Sequence, residues 1–265
     1  MIATEHPLSE IITMYKRLAG MYDAGSESIS ARISNHVTRE NFMRYVKGPD
    51  IRKVLDAGGG TGNWSVFLAQ QGFEVTLLDI SPDLLKIARK KFEDYDLPVK
   101  VMEGDIENTA FNEQEFDLIF AEGGVISLTP DPEKMMQELK RITKNKGYLW
   151  IDYLNLRGWA LMQPELERRA ILAGKDEELI YMGKNNVPFR LFSPNHFRSL
   201  LYDAGFMEVN EFGNGIITNP MMEDHLFRPE SLENIKESEL KMSRNYSLMG
   251  SAFHIEVLAQ KVIMG

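Results

Sequence analysis

Hydrophobic and polar positions along this chain alternate between two periods, and the alternation lays out its elements. Apolar residues recur at helical spacing through 9–21 and 28–46, until Gly48 and Pro49 break the pattern. IRKVLDA then reads as a short buried strand, followed by a helix over 64–71, the strand FEVTLLDI, and a helix opened by Ser81-Pro82-Asp83 with Ser81 as its N-cap. VKVMEGD and FDLIFAE give a third and a fourth strand. A helix over 132–143 has Lys140, Arg141 and Lys144 at its C-terminal end, where cations suit the macrodipole, and Gly147 leads into the strand YLWIDYL. The second half is less regular. Residues 155–190 read as an inserted helical segment, Ser193-Pro194 opens a helix ending at Ala204-Gly205, and FMEVNEF and FHIEVLAQKV read as strands too far apart for a simple hairpin.

Strands alternating with helices of this length imply right-handed crossovers and an α/β fold, a mostly parallel sheet with helices on both faces. Ligands of such sheets sit beyond the C-terminal strand ends, so residues that directly follow a strand are the candidates. The 265 residues suit one domain, with a helical lid over 1–47, a ligand-binding core over 48–154, and insertions at 155–192 and 215–250.

Composition narrows the chemistry. Hydrophobic residues at 43% and charged residues at 26% are ordinary for a folded chain, while the formal charge of -9 supplies no global field that would draw in nucleic acid. The absence of cysteine removes disulfides, thiolate nucleophiles and cysteine-based zinc sites. His6, His36, His196, His225 and His254 show no paired metal spacing, so no metal is expected, and His254 reads as a packed or solvated strand residue. No segment resembles a signal peptide or approaches the roughly 20 apolar residues that span a bilayer; a cytoplasmic protein with no membrane partner is the expectation. Oligomeric state is not legible.

VLDAGGGTGNW places Gly58, Gly59, Gly60 and Gly62 after a strand and before a helix. Glycines there let the backbone turn tightly against a ligand, beside the free N–H groups of the helix start; the alternative is a tight turn that holds nothing. A dinucleotide fingerprint would need glycine where Asn63 stands. Asp56, at the strand end, would repel a pyrophosphate but suits an ammonium group, directly or through water. S-adenosylmethionine has an ammonium, a sulfonium and no phosphate. Asp79 ends the second strand, where a carboxylate can accept both ribose hydroxyls; its other reading, an N-cap, is better filled by Ser81. Asp105-Ile106 follows the third strand and pairs a carboxylate with an apolar face, as adenine requires.

In these motifs the chain resembles the class I S-adenosylmethionine-dependent methyltransferases, closely over 51–147 and loosely elsewhere. The resemblance implies a Rossmann-like fold with a seven-stranded, mostly parallel sheet whose last strand, FHIEVLAQKV, is antiparallel. It assigns Asp56, Gly58 and Gly60 to the methionine moiety, Asp79 and Ile80 to ribose and adenine, and Asp105 and Ile106 to adenine. FAEGGVISL would line the methyl-transfer point, with Glu122 and Gly123 near the sulfonium, although Glu-Gly-Gly carries no known catalytic signature. Tyr22-Asp23 is similar to a pair that approaches the cofactor from the N-terminal helices in many members. Arg32 is a further candidate, as a guanidinium fork for the methionine carboxylate; its alternative is a solvated face shared with Arg39 and Arg44.

Methyl transfer is a direct displacement that needs alignment more than acid or metal, and a base only where the acceptor must lose a proton. Asp152, Tyr153, Asn155 and Arg157 follow the fifth strand, yet each equally suits a structural cap, so no catalytic residue is assigned. The insertions supply Trp159, Met162, Tyr181, Met182, Met221, Met222, Phe227 and Tyr246 for an acceptor pocket. The leading expectation is an enzyme methylating O, N or C of a small molecule and releasing S-adenosylhomocysteine. The alternative partner is tRNA: the chain is similar after its fifth strand to bacterial methyltransferases acting on carboxymethoxyuridine, with Arg157, Arg168, Arg169 and Lys175 as phosphate contacts. A third reading is a non-catalytic nucleotide-binding or regulatory protein on the same fold.

Overall fold

The computed structural model describes residues 8–26, 28–46, 51–182, 187–218 and 231–262. Gly48, Pro49, His6, His225, Met221, Met222, Phe227 and the side chain of Met182 lie outside the described residues. Two helices, α1 (Leu8–Ser26) and α2 (Ile29–Tyr45), precede an alternating series of β1 (Lys53–Ala57), α3 (Asn63–Gln70), β2 (Glu74–Asp79), α4 (Pro82–Asp94), β3 (Lys100–Glu103) and β4 (Phe116–Ala121). Next come α5 (Val125–Leu128), α6 (Pro132–Ile142) and β5 (Thr143–Leu154). The strands form a seven-stranded sheet in the order β3-β2-β1-β4-β5-β9-β8, closed by β8 (Phe206–Asn214) and β9 (His254–Lys261). Pairs among β1 to β5 are parallel; β9 runs antiparallel to both β5 and β8. The expected fold is therefore present, antiparallel strand included.

Alternation along each strand sends side chains to two cores. Leu55, Ile119, Leu149 and Ile151 meet Met135, Met136 and Leu139 of α6 on one face. Val54, Leu118, Phe120 and Trp150 meet Phe42 of α2 and Phe67 and Leu68 of α3 on the other. Phe42 sits edge-on to Phe120 at 5.4 Å and to Trp150 at 5.5 Å. Consequently α2 is a layer of the core rather than a lid. Ser81 caps α4 through Leu84 N, Asp131 caps α6 through Lys134 N, and Ser193 caps α9 (Pro194–Asp203) through His196 N, each followed by proline.

The insertion at 155–190 departs from expectation. Its first half is helical, α7 (Leu156–Met162) and α8 (Glu165–Leu172), but β6 (Glu177–Met182) and β7 (Val187–Phe192) pair antiparallel as a separate two-stranded ribbon. The β-branched and aromatic residues of ELIYM and VPFRLF favour this conformation and bury Ile180 and Leu191 against Trp159. β5 also begins earlier than Gly147 suggested, at Thr143, where α6 ends. The second insertion contributes α10 (Leu232–Ser243) and a 3-10 turn, Tyr246–Ser251.

Candidate functional site

The C-terminal edge of the sheet carries a cleft, the place where open α/β sheets bind their ligands. Gly58 from the glycine loop, Asp79 and Ile80 after β2, Asp105 and Ile106 after β3, and Glu122 and Gly123 after β4 all line it. Residues far apart in sequence thus meet because each ends a neighbouring parallel strand. Overhead runs α1, whose Leu8, Ile11, Tyr15 and Tyr22 complete the wall. Tyr15 and Tyr22 pack edge to face at 5.9 Å.

The loop is shaped by bonds to β2. Gly58 N donates to Leu78 O at 2.7 Å, and Gly60 N donates to Asp79 Oδ2 at 2.8 Å. Asp79 Oδ1 accepts from Ser81 N, also at 2.8 Å. Burial raises the Asp79 carboxyl above its ordinary range, opposed by these backbone bonds. A side chain is excluded at two loop positions: a Cβ at Gly59 would lie 2.5 Å from the Asp56 carboxylate, and one at Gly58, with φ at +74°, 2.8 Å from Val125 Cγ2.

Asp56 is 1% exposed and accepts from Ser65 Oγ at 2.6 Å. It stands behind the loop rather than among the residues lining the cleft. Burial pushes its carboxyl to about 7; Ser65 opposes the shift and the charge of Asp79 adds to it. Tyr22 points its hydroxyl toward Gly60, and burial, then Asp79, Asp23 and Asp56, push the phenol to about 12, so it stays a neutral donor. Its neighbour Asp23 clasps the loop from α1, accepting from Thr61 Oγ1 at 2.6 Å and Asn63 Nδ2 at 3.1 Å and pairing with Lys91 at 3.1 Å. Arg32 is not brought to the cleft. It lines a separate polar depression with Arg39, Lys91 and Lys236 on the far side of Asp23.

Beyond Gly123 lies a group that sequence reasoning did not assemble. Gly123 and Gly124 have φ of +102° and +72°, and both N–H groups donate to Asp152 Oδ1, at 2.8 and 2.7 Å. The Glu-Gly-Gly segment thus carries a structural signature in place of a catalytic one. Asp152 is fully buried, and its other oxygen lies 2.8 Å from His254 Nδ1. Beside it, Glu122 accepts from Trp150 Nε1 at 3.0 Å, and burial, then Asp152 and Glu256, hold its carboxyl well above the usual range. Glu256 is buried too, bonded by Thr38 and Asn214 and pushed to about 7 by that burial. Of the other residues after β5, Tyr153 stacks on Phe197 at 4.1 Å, and Asn155 caps α7 and donates to Ala252 O; both are structural. Arg157 pairs at the surface with Glu167, 3.9 Å away. No cluster able to hold a metal ion occurs among the described residues, and no helix there is long and apolar enough to cross a membrane.

A cleft with acidic residues at three successive strand ends and a glycine turn beneath is the arrangement of an adenosyl-cofactor enzyme. Residues 54–147 match the family model described as a methyltransferase domain. Over 184 residues the chain is 30% identical to a demethylmenaquinone methyltransferase of Chlorobaculum tepidum, covering 68% of this chain and 69% of that one. Among solved structures, it superposes with a TM-score of 0.65 on the 1,6-didemethyltoxoflavin-N1-methyltransferase of Burkholderia thailandensis, which holds its substrate and S-adenosylhomocysteine; identity is 14%, with 99% of this chain and 92% of that one covered. A Methanosarcina mazei SAM-dependent methyltransferase gives a TM-score of 0.60 at 16% identity, covering 84% of this chain and 98% of that one. The chain belongs to the class I S-adenosylmethionine-dependent methyltransferases. S-adenosylmethionine is its cofactor.

Proposed function

We propose that this enzyme methylates a small, ring-bearing organic molecule beneath α1, by direct displacement at the sulfonium. In this reading Asp79 takes the ribose hydroxyls, Ile80 and Ile106 hold the adenine faces with Asp105 at its edge, and Asp56 acts on the ammonium through the loop and solvent. Gly58, Gly59 and Gly60 let the methionine moiety approach the backbone. Glu122 and Gly123 flank the sulfur, and Tyr22 closes the cofactor in. The carrying observation is that α1 roofs the cleft with Tyr15 and Tyr22 and is fastened to the glycine loop by Asp23. Such closure excludes water and aligns nucleophile, methyl and sulfur, the main requirement of this displacement. The name of the Chlorobaculum relative supports a ring-bearing acceptor.

Against the tRNA alternative, Arg157 and Arg169 of the expected phosphate-contacting patch face Glu167 and Glu178 at 3.9 and 3.8 Å. The test is transfer of labelled methyl from S-adenosylmethionine to 1,4-naphthohydroquinone, to catechol and to unmodified bulk tRNA. Methylation of a ring compound with none of tRNA is the expected result; transfer to tRNA alone, weakened steeply by salt, would overturn it.

A further inference from the structure

β9 runs antiparallel to β5, so its first residue, His254, pairs with the last residue of β5, Leu154, at the same sheet edge as the cofactor cleft. One carboxyl group separates the imidazole from the cleft wall: Asp152 Oδ1 accepts from Gly123 and Gly124, and Oδ2 contacts His254 Nδ1. As a carboxylate, Asp152 accepts in every one of these contacts. It therefore fixes the Nδ1–H tautomer, which leaves Nε2 with a free lone pair. Nε2 has no hydrogen-bond partner among the described residues, and the His254 side chain is 29% exposed. It lines a second, open cavity beside β9, together with Ser28, Ser34, Asn214, Thr218 and Phe253. Hydroxyls and an amide beside one aromatic ring suit a hydroxylated aromatic molecule. Among the described residues no Lys, Arg, Asp or Glu lines this cavity; the ionisable groups that face the imidazole are Asp152 on β5 and Glu256 on β9, with Glu122 after β4 beside those two acids.

We infer that His254 is the general base of the reaction, oriented by Asp152, and that the acceptor is a phenol-type hydroxyl compound bound in the cavity it lines. The inference rests on the methyl-transfer reading of the cleft. The acceptor O–H gives its proton to Nε2 while the ring oxygen, or a ring carbon made nucleophilic by that ionisation, forms the new bond to the methyl. The sulfur–methyl bond breaks with its electrons on sulfur, leaving S-adenosylhomocysteine, the methylated product and an imidazolium. Asp152 is a positioning residue that acts through the ring.

The experiment compares the wild type with His254→Gln, using tritiated S-adenosylmethionine and catechol or 1,4-naphthohydroquinone across pH 5.5 to 9. The expected outcome is a kcat lower by roughly 10²- to 10⁴-fold, loss of the acid limb of the kcat profile, and unchanged affinity for S-adenosylhomocysteine. Equal turnover with the same pH profile would overturn the inference and leave the proposed function standing. A wild type that binds S-adenosylhomocysteine but methylates neither phenol would overturn the acceptor class, whereas failure to bind it would defeat the proposed function itself. Nitrogen NMR of the histidines in the wild-type protein gives a reading independent of the variant's folding: neutral His254 protonated on Nδ1 supports the role, and protonation on Nε2 contradicts it.

Discussion

Asp79 gathers two backbone N–H groups and still borders the cleft, so in the proposed function its carboxylate serves the loop and the ligand together. Asp79→Ala is expected to weaken S-adenosylhomocysteine binding by more than tenfold in a calorimetric titration, since charge-assisted hydrogen bonds contribute about 1.5–3 kcal/mol each. Binding at wild-type strength would contradict that role. Asp79 and Asp105 were legible in the sequence because one ends a strand and the other stands just beyond one, and in a parallel sheet that fixes the edge they share. Asp56 was legible as a position but not as an environment: its burial behind Gly59 against Ser65 depends on the turn of the loop. Arg32 showed only as a cation at a plausible spacing, and the direction it faces is set by the packing of α2. His254 reads from the sequence as a packed or solvated strand residue because its place at the sheet edge depends on strand direction. An antiparallel strand starts where its parallel neighbours end, and that brings the first polar residue of FHIEVLAQKV to the cleft edge.

The elements of the first half were written in their periodicity, from β1 through α6, with prolines and capping side chains marking the starts of α4 and α6. The β6–β7 ribbon was not. Six-residue strands give too short a pattern to separate from a helix, and burial against α7 and α8 decides the outcome. α7 in turn depends on a close backbone approach at Gly158, where a Cβ would lie 1.9 Å from Ala252 O. Gly158→Ala must push α7 away from the 3-10 turn and strain the bonds that its N-cap, Asn155, donates to Gly250 O and Ala252 O. Thermal unfolding is expected to show a destabilisation of about 1–3 kcal/mol or more, the usual cost of overpacking a close contact. An unchanged melting temperature would show that the two segments can separate freely.

Across the whole molecule, several buried carboxyls at the C-terminal edge of the sheet are raised above their ordinary range. Asp56 and Glu256 are both pushed to about 7 by burial, and Asp79 and Glu122 are raised as well. Raised carboxyls bind protons more tightly folded than unfolded, so their contribution to stability is complete below about pH 4 and is lost as pH rises above the usual carboxylate range, through about 7 for Asp56 and Glu256. Asp23, Asp117 and Glu138 are lowered, burial being outweighed by their hydrogen-bond and ion-pair partners, and their stabilisation disappears only as pH falls below the usual carboxylate range. Urea unfolding of the cofactor-free protein is therefore expected to show stability falling between pH 5 and 8, with a slope of up to about 1.4 kcal/mol per pH unit for each raised group. A flat or rising profile would contradict the burial of these acids. The central claim, that the strand ends hold S-adenosylmethionine with its sulfur turned toward Gly123 and the His254 cavity, is tested most directly by a crystal structure with S-adenosylhomocysteine bound. The expected complex has ribose hydroxyls on Asp79, adenine between Ile80 and Ile106, and the sulfur beside Gly123; ribose held away from Asp79, or a sulfur facing away from Gly123, would contradict the account.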